Sequence, residues 1–162
     1  MLTIFILLII LSAFFSSLET AFFHLKSNNK LNKTTRELLK HPKKLLASLL
    51  TGNTIVNIAL GSIGASYALS IYNRGLFNNI SLSVLLLLEV MIVTVIILIF
   101  GEVLPKTYAI SKSEKLANFS SKFLKLVMKI IYPFTFIFYS ITKLIIKVLP
   151  IKKNKFLIRK KN

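Results

Sequence analysis

The chain has 162 residues, of which 54% are hydrophobic, and it carries 22 Lys and Arg residues against 5 acidic ones. Its mean hydropathy is +0.71. Long runs with almost no charge are typical of membrane-spanning helices, so this composition excludes an ordinary soluble domain. The absence of cysteine excludes a disulfide framework, a thiolate metal site and a cysteine nucleophile.

Three apolar runs are long enough to cross a bilayer, because a hydrocarbon core of roughly 30 Å needs about 20 helical residues. They cover residues 2–23, 45–72 and 80–104. The first run has no basic residue ahead of it and has its cations after it, which is the reverse of a cleavable signal peptide. We therefore expect the N-terminus to face the outside of the cell membrane, in bacteria the inner membrane.

The loops support this orientation. The segment "HLKSNNKLNKTTRELLKHPKK" is strongly basic, whereas the turn "NRGLFNN" has a single arginine. By the positive-inside rule the basic loop is cytoplasmic, the turn is external and the C-terminus is cytoplasmic. Lys33 to Leu39 is predicted to form a short helix that ends near His41, because the residue before Pro42 is pushed away from helical angles.

After the third run, residues 121–150 are predicted to form an amphipathic belt helix on the cytoplasmic membrane surface. Their lysines would reach the headgroups of anionic lipids, which we expect as partners. Pro133 is expected to interrupt the apolar part of this segment. A fourth span is the open alternative. Residues 151–162 form a basic cytoplasmic tail, and residues 1–120 form the transmembrane domain.

The net charge of +17 collects on the predicted cytoplasmic face, where it suits anionic lipid. Nucleic-acid binding is not expected, since neither a soluble basic fold nor an aromatic stacking surface is visible. We also expect no enzyme. The chain has no Asp, no nucleophile elbow and no P-loop, and no residue is assigned a catalytic role.

Polar residues inside the first span share one helical face. Ser12, Ser16, Glu19 and Thr20 lie at helical offsets, and Ser17 lies on a neighbouring face. An intramembrane Glu indicates a functional site, because its burial is expensive unless it faces a cavity or a partner. The alternative for Glu19 is a cytoplasmic pairing with a loop lysine.

In the second span, Asn53, Asn57 and Gly61 recur one turn apart on one side. The asparagine carbonyls are either ligands for a hard cation or hydrogen-bonding groups between helices. A stripe of small residues is predicted to allow close helix packing; its members are Gly61, Gly64, Ala65 and Ala68.

The third span ends in "IFGEVLPKTYAISKSEKLA". Pro105 has no N–H for the carbonyl of Gly101, and a freed carbonyl at membrane depth must be buried or line a polar cavity. Glu102 stands one turn before Lys106, which is expected to pair with it or to reach the cytoplasm. Carboxylate, amide, hydroxyl and backbone oxygens from three spans form an all-oxygen set, which suits Mg²⁺ or another hard cation.

Three blocks resemble the transmembrane domain of the cyclin M/CorC family of magnesium transporters: "FFSSLETAFFHLK", "HPKKLLASLLTGNTIVNIALGSIGASYA" and "IFGEVLPKTYAISKSEKLA". The resemblance implies an all-α homodimer with three spans per subunit, short cytoplasmic loop helices and a belt helix. It implies transport of Mg²⁺ driven by Na⁺. The implied cation site consists of Ser16, Ser17, Glu19, Asn53, Asn57, Gly101 and Glu102, with Pro105 shaping the helix and Lys106 flanking the site.

Two features depart from the family pattern. Family members usually continue into a pair of nucleotide-binding regulatory modules, whereas this sequence ends at Asn162. A truncated sequence, a reduced gene and a separate regulatory nucleotide-binding protein are the alternatives. The second feature is Glu89, a mid-span carboxylate with no counterpart in the pattern, which could line an exit path or hydrogen-bond across a dimer contact.

The leading hypothesis is a Na⁺-coupled, alternating-access exporter of Mg²⁺. The competing hypothesis is a membrane anchor that does not transport, acting as a magnesium sensor or scaffold.

Overall fold

The computed structural model describes residues 2–25, 31–77 and 79–148, with side chains as far as residue 131 and at residue 133. All elements in these ranges are helical, and three helices are long and apolar enough to cross a membrane. The predicted all-α, three-span fold is therefore confirmed. The elements are α1 (Leu2–Phe23), α2 (Lys33–Leu39), α3 (Pro42–Asn73), α4 (Leu82–Ile96), a π-helical segment (Ile97–Val103) and α5 (Leu104–Val148).

The short loop helix α2 has the bounds that the sequence predicts. Asn32 caps its N-terminus, because its side-chain oxygen accepts a 2.7 Å hydrogen bond from the Thr35 N–H. Helix α3 starts at once afterwards, with Pro42 in its first turn, where a missing N–H removes no helical bond. The second span thus begins three residues before the predicted position 45.

A tight turn joins α3 to α4. Gly75 has a φ of 70°, a left-handed conformation that side chains disfavour. Ser81 then caps α4 by accepting a hydrogen bond from the Val84 N–H at 3.4 Å. Helices α3 and α4 then pack against each other.

The hydrophobic core lies toward the end of α1 and the start of α3. α2 and the later part of α5 close it. Its buried members include Leu18, Phe22, Leu38, Leu45, Leu49, Leu60 and Leu124. Helix α4 is different, since Val93 is its one buried residue and most of its large side chains are exposed. An exposed apolar helix of this kind is suited to lipid contact.

Helix α5 continues the third span and then bends. Lys112 has non-helical angles (φ −125°, ψ 26°), and the helix resumes after it. The later part packs on α1, where the Phe14 and Phe123 rings meet edge to face at 5.3 Å. The helix runs through Pro133 to Val148, so the expected interruption at this proline is wrong. The belt position of this segment stays a prediction.

A polar latch fastens α2 to α5. The Asn118 side-chain oxygen accepts hydrogen bonds from the Asn32 N–H at 2.9 Å and from the Thr35 hydroxyl at 3.0 Å. The Asn32 amide donates in return to the Asn118 carbonyl at 2.9 Å and to the Ser121 hydroxyl at 3.2 Å. Thr35 and Ser121 are fully buried. We call these four residues the α2–α5 latch.

Candidate functional site

Three polar side chains from α1 and α3 meet inside the helix bundle. The Ser12 hydroxyl lies 2.8 Å from the Asn57 side-chain oxygen and 3.2 Å from the Asn53 side-chain oxygen. Ser12 is fully buried, while both asparagines are half-buried. Asn53 and Asn57 are one turn apart on α3, so their amides can face the same point on α1.

Two amide oxygens converge on one hydroxyl group here. A serine hydroxyl has one proton, so at any moment Ser12 can donate to only one of the two amide oxygens. The other amide oxygen is then open to another partner. Neutral hydroxyl and amide oxygens are among the ligands that hard cations take in proteins.

Gly101 brings the third span against this point. A Cβ atom at this position would lie 2.8 Å from the Ser12 hydroxyl oxygen, closer than real Cβ contacts allow. Only glycine therefore allows this close approach without displacing Ser12. We call Ser12, Asn53, Asn57 and Gly101 the Ser12 cluster.

The backbone around Gly101 is π-helical. The Leu104 N–H bonds to the Ile99 carbonyl, five residues earlier. Pro105 has no N–H, so it can serve neither the Gly101 carbonyl at α-helical spacing nor the Phe100 carbonyl at π-helical spacing. Segments of this kind inside α-helices occur frequently at functional sites.

The two other predicted serines differ in their surroundings. Ser16 is fully buried one turn after Ser12, and its hydroxyl has no hydrogen-bond partner within the described part of the chain. Ser17 is buried too, but its hydroxyl donates to the Phe14 carbonyl of its own helix at 2.9 Å. Ser16 therefore has a free oxygen to offer a ligand, whereas Ser17 is occupied.

The two predicted carboxylates differ in their relation to the cluster. Glu102 follows Gly101 directly, its side chain is 31% exposed, and the Lys106 ammonium lies 3.9 Å away. Glu19 is half-buried. Its alternative role, a pairing with a loop lysine, stays a prediction. Among the described residues, no three His, Asp or Glu side chains come close enough to hold a metal.

The small residues of α3 do not act as one stripe. A Cβ atom at Gly61 would meet nothing within 4 Å in the described part of the chain, so the predicted helix packing at Gly61 stays a prediction. At Gly64 it would overlap the Glu89 carboxylate and lie 3.0 Å from Val93. Ala68 is buried and Ala65 half-buried. Close contact between α3 and α4 thus rests on Gly64 and Ala68.

Sequence reasoning underrated two features of the site. Ser12 shares the polar face of Ser16 and Glu19, yet it lies outside the resemblance-based set, and the structure puts it at the centre of the cluster. The π-helical segment was not expected, although Pro105 shows that hydrogen bonding must fail near Gly101.

Comparison with known proteins decides the family. Residues 3–159 match the family described as the cyclin M transmembrane N-terminal domain. The chain belongs to this family. It is 32% identical to a UPF0053 protein of Haemophilus influenzae over 93% of its length, and 29% identical to the UPF0053 inner membrane protein YfjD of Escherichia coli over 88%. YrkA of Bacillus subtilis, also named UPF0053, is 26% identical over 82% of the chain.

These alignments cover 36%, 33% and 34% of the three relatives, so the chain spans about a third of their length. The cyclin M match includes all members of the Ser12 cluster, together with Glu89 and Pro105. The protein is therefore a membrane domain of the cyclin M family.

Proposed function

We propose that this domain transports Mg²⁺ through a site built on the Ser12 cluster. The observation that carries the proposal is the convergence of two amide oxygens on one buried hydroxyl group, with Gly101 of the third span packed against it. A hard cation satisfies such oxygens without needing a proton. Ser16, with its unpartnered buried hydroxyl, extends the same face by one turn.

The ligand set contains only oxygen, which suits Mg²⁺ and not zinc or copper. Neutral oxygens replace hydration water, and a carboxylate supplies the charge that makes partial dehydration favourable. Glu102 is the charged group next to the cluster, and Glu19 is the candidate from α1. Lys106 would hold Glu102 while the site is empty and release it when the cation arrives, because a half-exposed pair at 3.9 Å is weak.

The finer points of the function belong to the same proposal. Export is coupled to inward Na⁺ movement, and the helices alternate between an inward-open and an outward-open state. The working unit is a homodimer in the cell membrane, with an external N-terminus and anionic lipids around its basic face. No catalytic role is proposed.

The test is Mg²⁺ efflux from proteoliposomes that contain the full chain and an internal indicator dye, with and without an opposing Na⁺ gradient. Glu102→Gln keeps the size of the side chain and removes its charge, and we expect it to lower efflux at least about tenfold. Glu37→Gln is the matched control, because Glu37 pairs with Lys125 outside the spans. Its efflux should equal that of the wild type.

The competing function is a magnesium-sensing or scaffolding anchor. It predicts that the wild-type chain folds and dimerises in liposomes but moves no Mg²⁺. In that case Glu102→Gln would alter dimer stability, measured by dilution in detergent, and there would be no flux to change. Efflux that ignores the Na⁺ gradient would instead remove the coupling and leave transport.

A further inference from the structure

Glu89 lies far from the Ser12 cluster, in the outer part of the third span. It precedes Gly101 by 12 residues, about 18 Å along a helix. Both of its carboxylate oxygens are buried, and neither has a hydrogen-bond partner within the described part of the chain. The carboxylate lies against Gly64 of α3, where a Cβ atom would overlap it. Gly64 therefore makes the space that Glu89 occupies.

Within the described part of the chain, no positive side chain pairs with Glu89. Helix α3 has no charged residue between Lys44 and Arg74, and α1 has none before Glu19. The ion pairs among the described residues join Lys106 to Glu102 and Lys125 to Glu37. Because an unpaired buried charge is very unfavourable, Glu89 requires a positive partner or a proton.

A cavity of about 520 Å³ opens beside this carboxylate, between the beginning of α1, the end of α3 and α4. This volume is in the range of small-molecule sites. Of the side chains that line it, Glu89 and Tyr67 are the polar ones, while Phe5 and Phe77 add aromatic surface. Aromatic faces attract cations, above all organic ammonium groups.

These surroundings exclude a small metal ion as the occupant. Mg²⁺ requires about six oxygen ligands and keeps much of its hydration shell, and the side chains around the cavity offer one carboxylate and one phenol. A monovalent cation with an apolar body fits better, because its charge would pair with Glu89 and its body would contact the aliphatic and aromatic walls.

We infer that the cavity between α1, α3 and α4 is a binding site for a monovalent organic cation, with Glu89 as its counter-ion and the aromatic side chains as its walls. The site is distinct from the Ser12 cluster and does not depend on its function. Gly64 is a positioning residue, since it sets the place of the carboxylate.

The probe is radiolabelled tetraphenylphosphonium, measured by equilibrium dialysis against the full chain in detergent, with excess unlabelled compound to define the saturable part. Triphenylphosphine oxide serves as a neutral molecule with a similar apolar body. We expect saturable binding of the cation, one per chain, and at least about tenfold weaker binding by Glu89→Gln. Binding of the neutral compound should be the same in both proteins.

Two further variants help to interpret the binding result, one as a control and one as a second test. Glu37→Gln removes an exposed carboxylate and should bind the cation like the wild type. Gly64→Ala moves the flexible Glu89 carboxylate without removing it and should weaken cation binding several-fold, which gives a second measure if Glu89→Gln does not fold. Size-exclusion chromatography and circular dichroism report folding for each protein.

The inference is overturned by any of three results. They are an absence of saturable binding to the wild type, equal cation affinity in the wild type and Glu89→Gln, and equal affinity of the wild type for the charged and neutral compounds. The first two results would mean that a proton neutralises Glu89. The third would indicate a purely apolar cavity suited to a lipid chain or a second copy of the protein.

Discussion

The Ser12 cluster and the Glu89 cavity involve the same three spans, yet they treat buried oxygen atoms in opposite ways. In the cluster, the amide oxygens of Asn57 and Asn53 lie 2.8 and 3.2 Å from the Ser12 hydroxyl oxygen and share its one proton. Around Glu89, two carboxylate oxygens have no hydrogen-bond partner within the described part of the chain and lie beside about 520 Å³ of mostly apolar space. The first region holds neutral groups that are tightly packed, whereas the second holds an isolated carboxylate that is loosely packed.

The α2–α5 latch is a polar cluster whose donors and acceptors are paired, and both regions can be compared with it. There, backbone and amide N–H groups and hydroxyls donate to the oxygens of Asn32 and Asn118. Buried polar groups in proteins normally reach this balance. The two membrane regions depart from it in different directions, which suggests ligands of different chemistry: a hard metal cation for crowded neutral oxygens and a larger cation for an isolated carboxylate.

The largest effect is expected from Gly101→Ala, which would disrupt the close contact between the third span and Ser12. Its Cβ atom would displace Ser12, so efflux of Mg²⁺ should fall at least about tenfold and the folded state should lose about 1–3 kcal/mol. Gly61→Ala is the control, because its Cβ atom meets nothing within 4 Å. Efflux and thermal unfolding in detergent are the measurements. Equal losses in both variants would contradict the role of Gly101.

Ser12→Ala would test the shared proton itself. Removing the hydroxyl leaves both amide oxygens without their donor, and we expect efflux to fall about fivefold, equivalent to about 1 kcal/mol for one hydrogen bond. Ser62→Ala is matched to it, since Ser62 is exposed and bonds to the Ile58 carbonyl of its own helix. A Ser12→Ala protein with wild-type efflux would show that the asparagines suffice.

Pro105→Ala would restore a backbone N–H near Gly101 and relieve the need for π-helical bonding. We expect an efflux loss of a few-fold, on the order of 1 kcal/mol, because the Gly101 backbone would turn away from Ser12. Amide hydrogen exchange of residues 97–106 should become slower as regular bonds form. Faster exchange there would contradict the proposed origin of the π-helical segment.

Thr35→Val tests the α2–α5 latch, in which donors and acceptors are paired. It removes the hydroxyl that bonds to Asn118 and leaves the shape, so α2 should be held less firmly, by about 1 kcal/mol. Thr54→Val is the control, because Thr54 is exposed and bonds to its own helix. Amide exchange of α2 should become about fivefold faster in the first variant alone. An unchanged α2 would mean that apolar packing at Leu38 holds the helix.

The smallest effect concerns pH. The hydrogen bond from Lys125 at 3.0 Å, and then its charge, lower the pKa of the exposed Glu37 carboxyl. A lowered pKa in the folded state means that the pair contributes stability above the ordinary pKa of about 4.3 and loses it as the pH falls through the folded value. The midpoint temperature of thermal unfolding should therefore fall slightly more between pH 6 and pH 3.5 in the wild type than in Glu37→Gln. Identical declines would show that the pair contributes nothing.

The sequence predicted the elements well where hydrophobic length and loop chemistry decide them. The three spans follow from run length, and the end of α2 follows from Pro42. It predicted less where neighbouring helices decide the outcome. Helical spacing could place Ser12 on a polar face, but it could not show that Gly101 of a distant span would press against that serine.

The same limit explains Gly61 and Gly64. Both belong to a small-residue pattern, and nothing in the spacing tells which one faces α4. Pro133 is a different case. Its local effect on hydrogen bonding is real, but one missing bond does not end a helix whose remaining residues favour helical structure.

The π-helical segment carries a torsional consequence for the third span. Its seven residues, Ile97–Val103, are wound more loosely than the α-helices on both sides, with bonds that span five residues in place of four. Tightening the segment into regular α-helical bonds would advance the helix register by one residue, about 100° of rotation about the axis. Glu102 would then turn away from its present face together with Gly101, and the first part of α5 would turn with them. A change in the winding of two turns can thus move a carboxylate from one side of the helix to another without sliding any span through the bilayer.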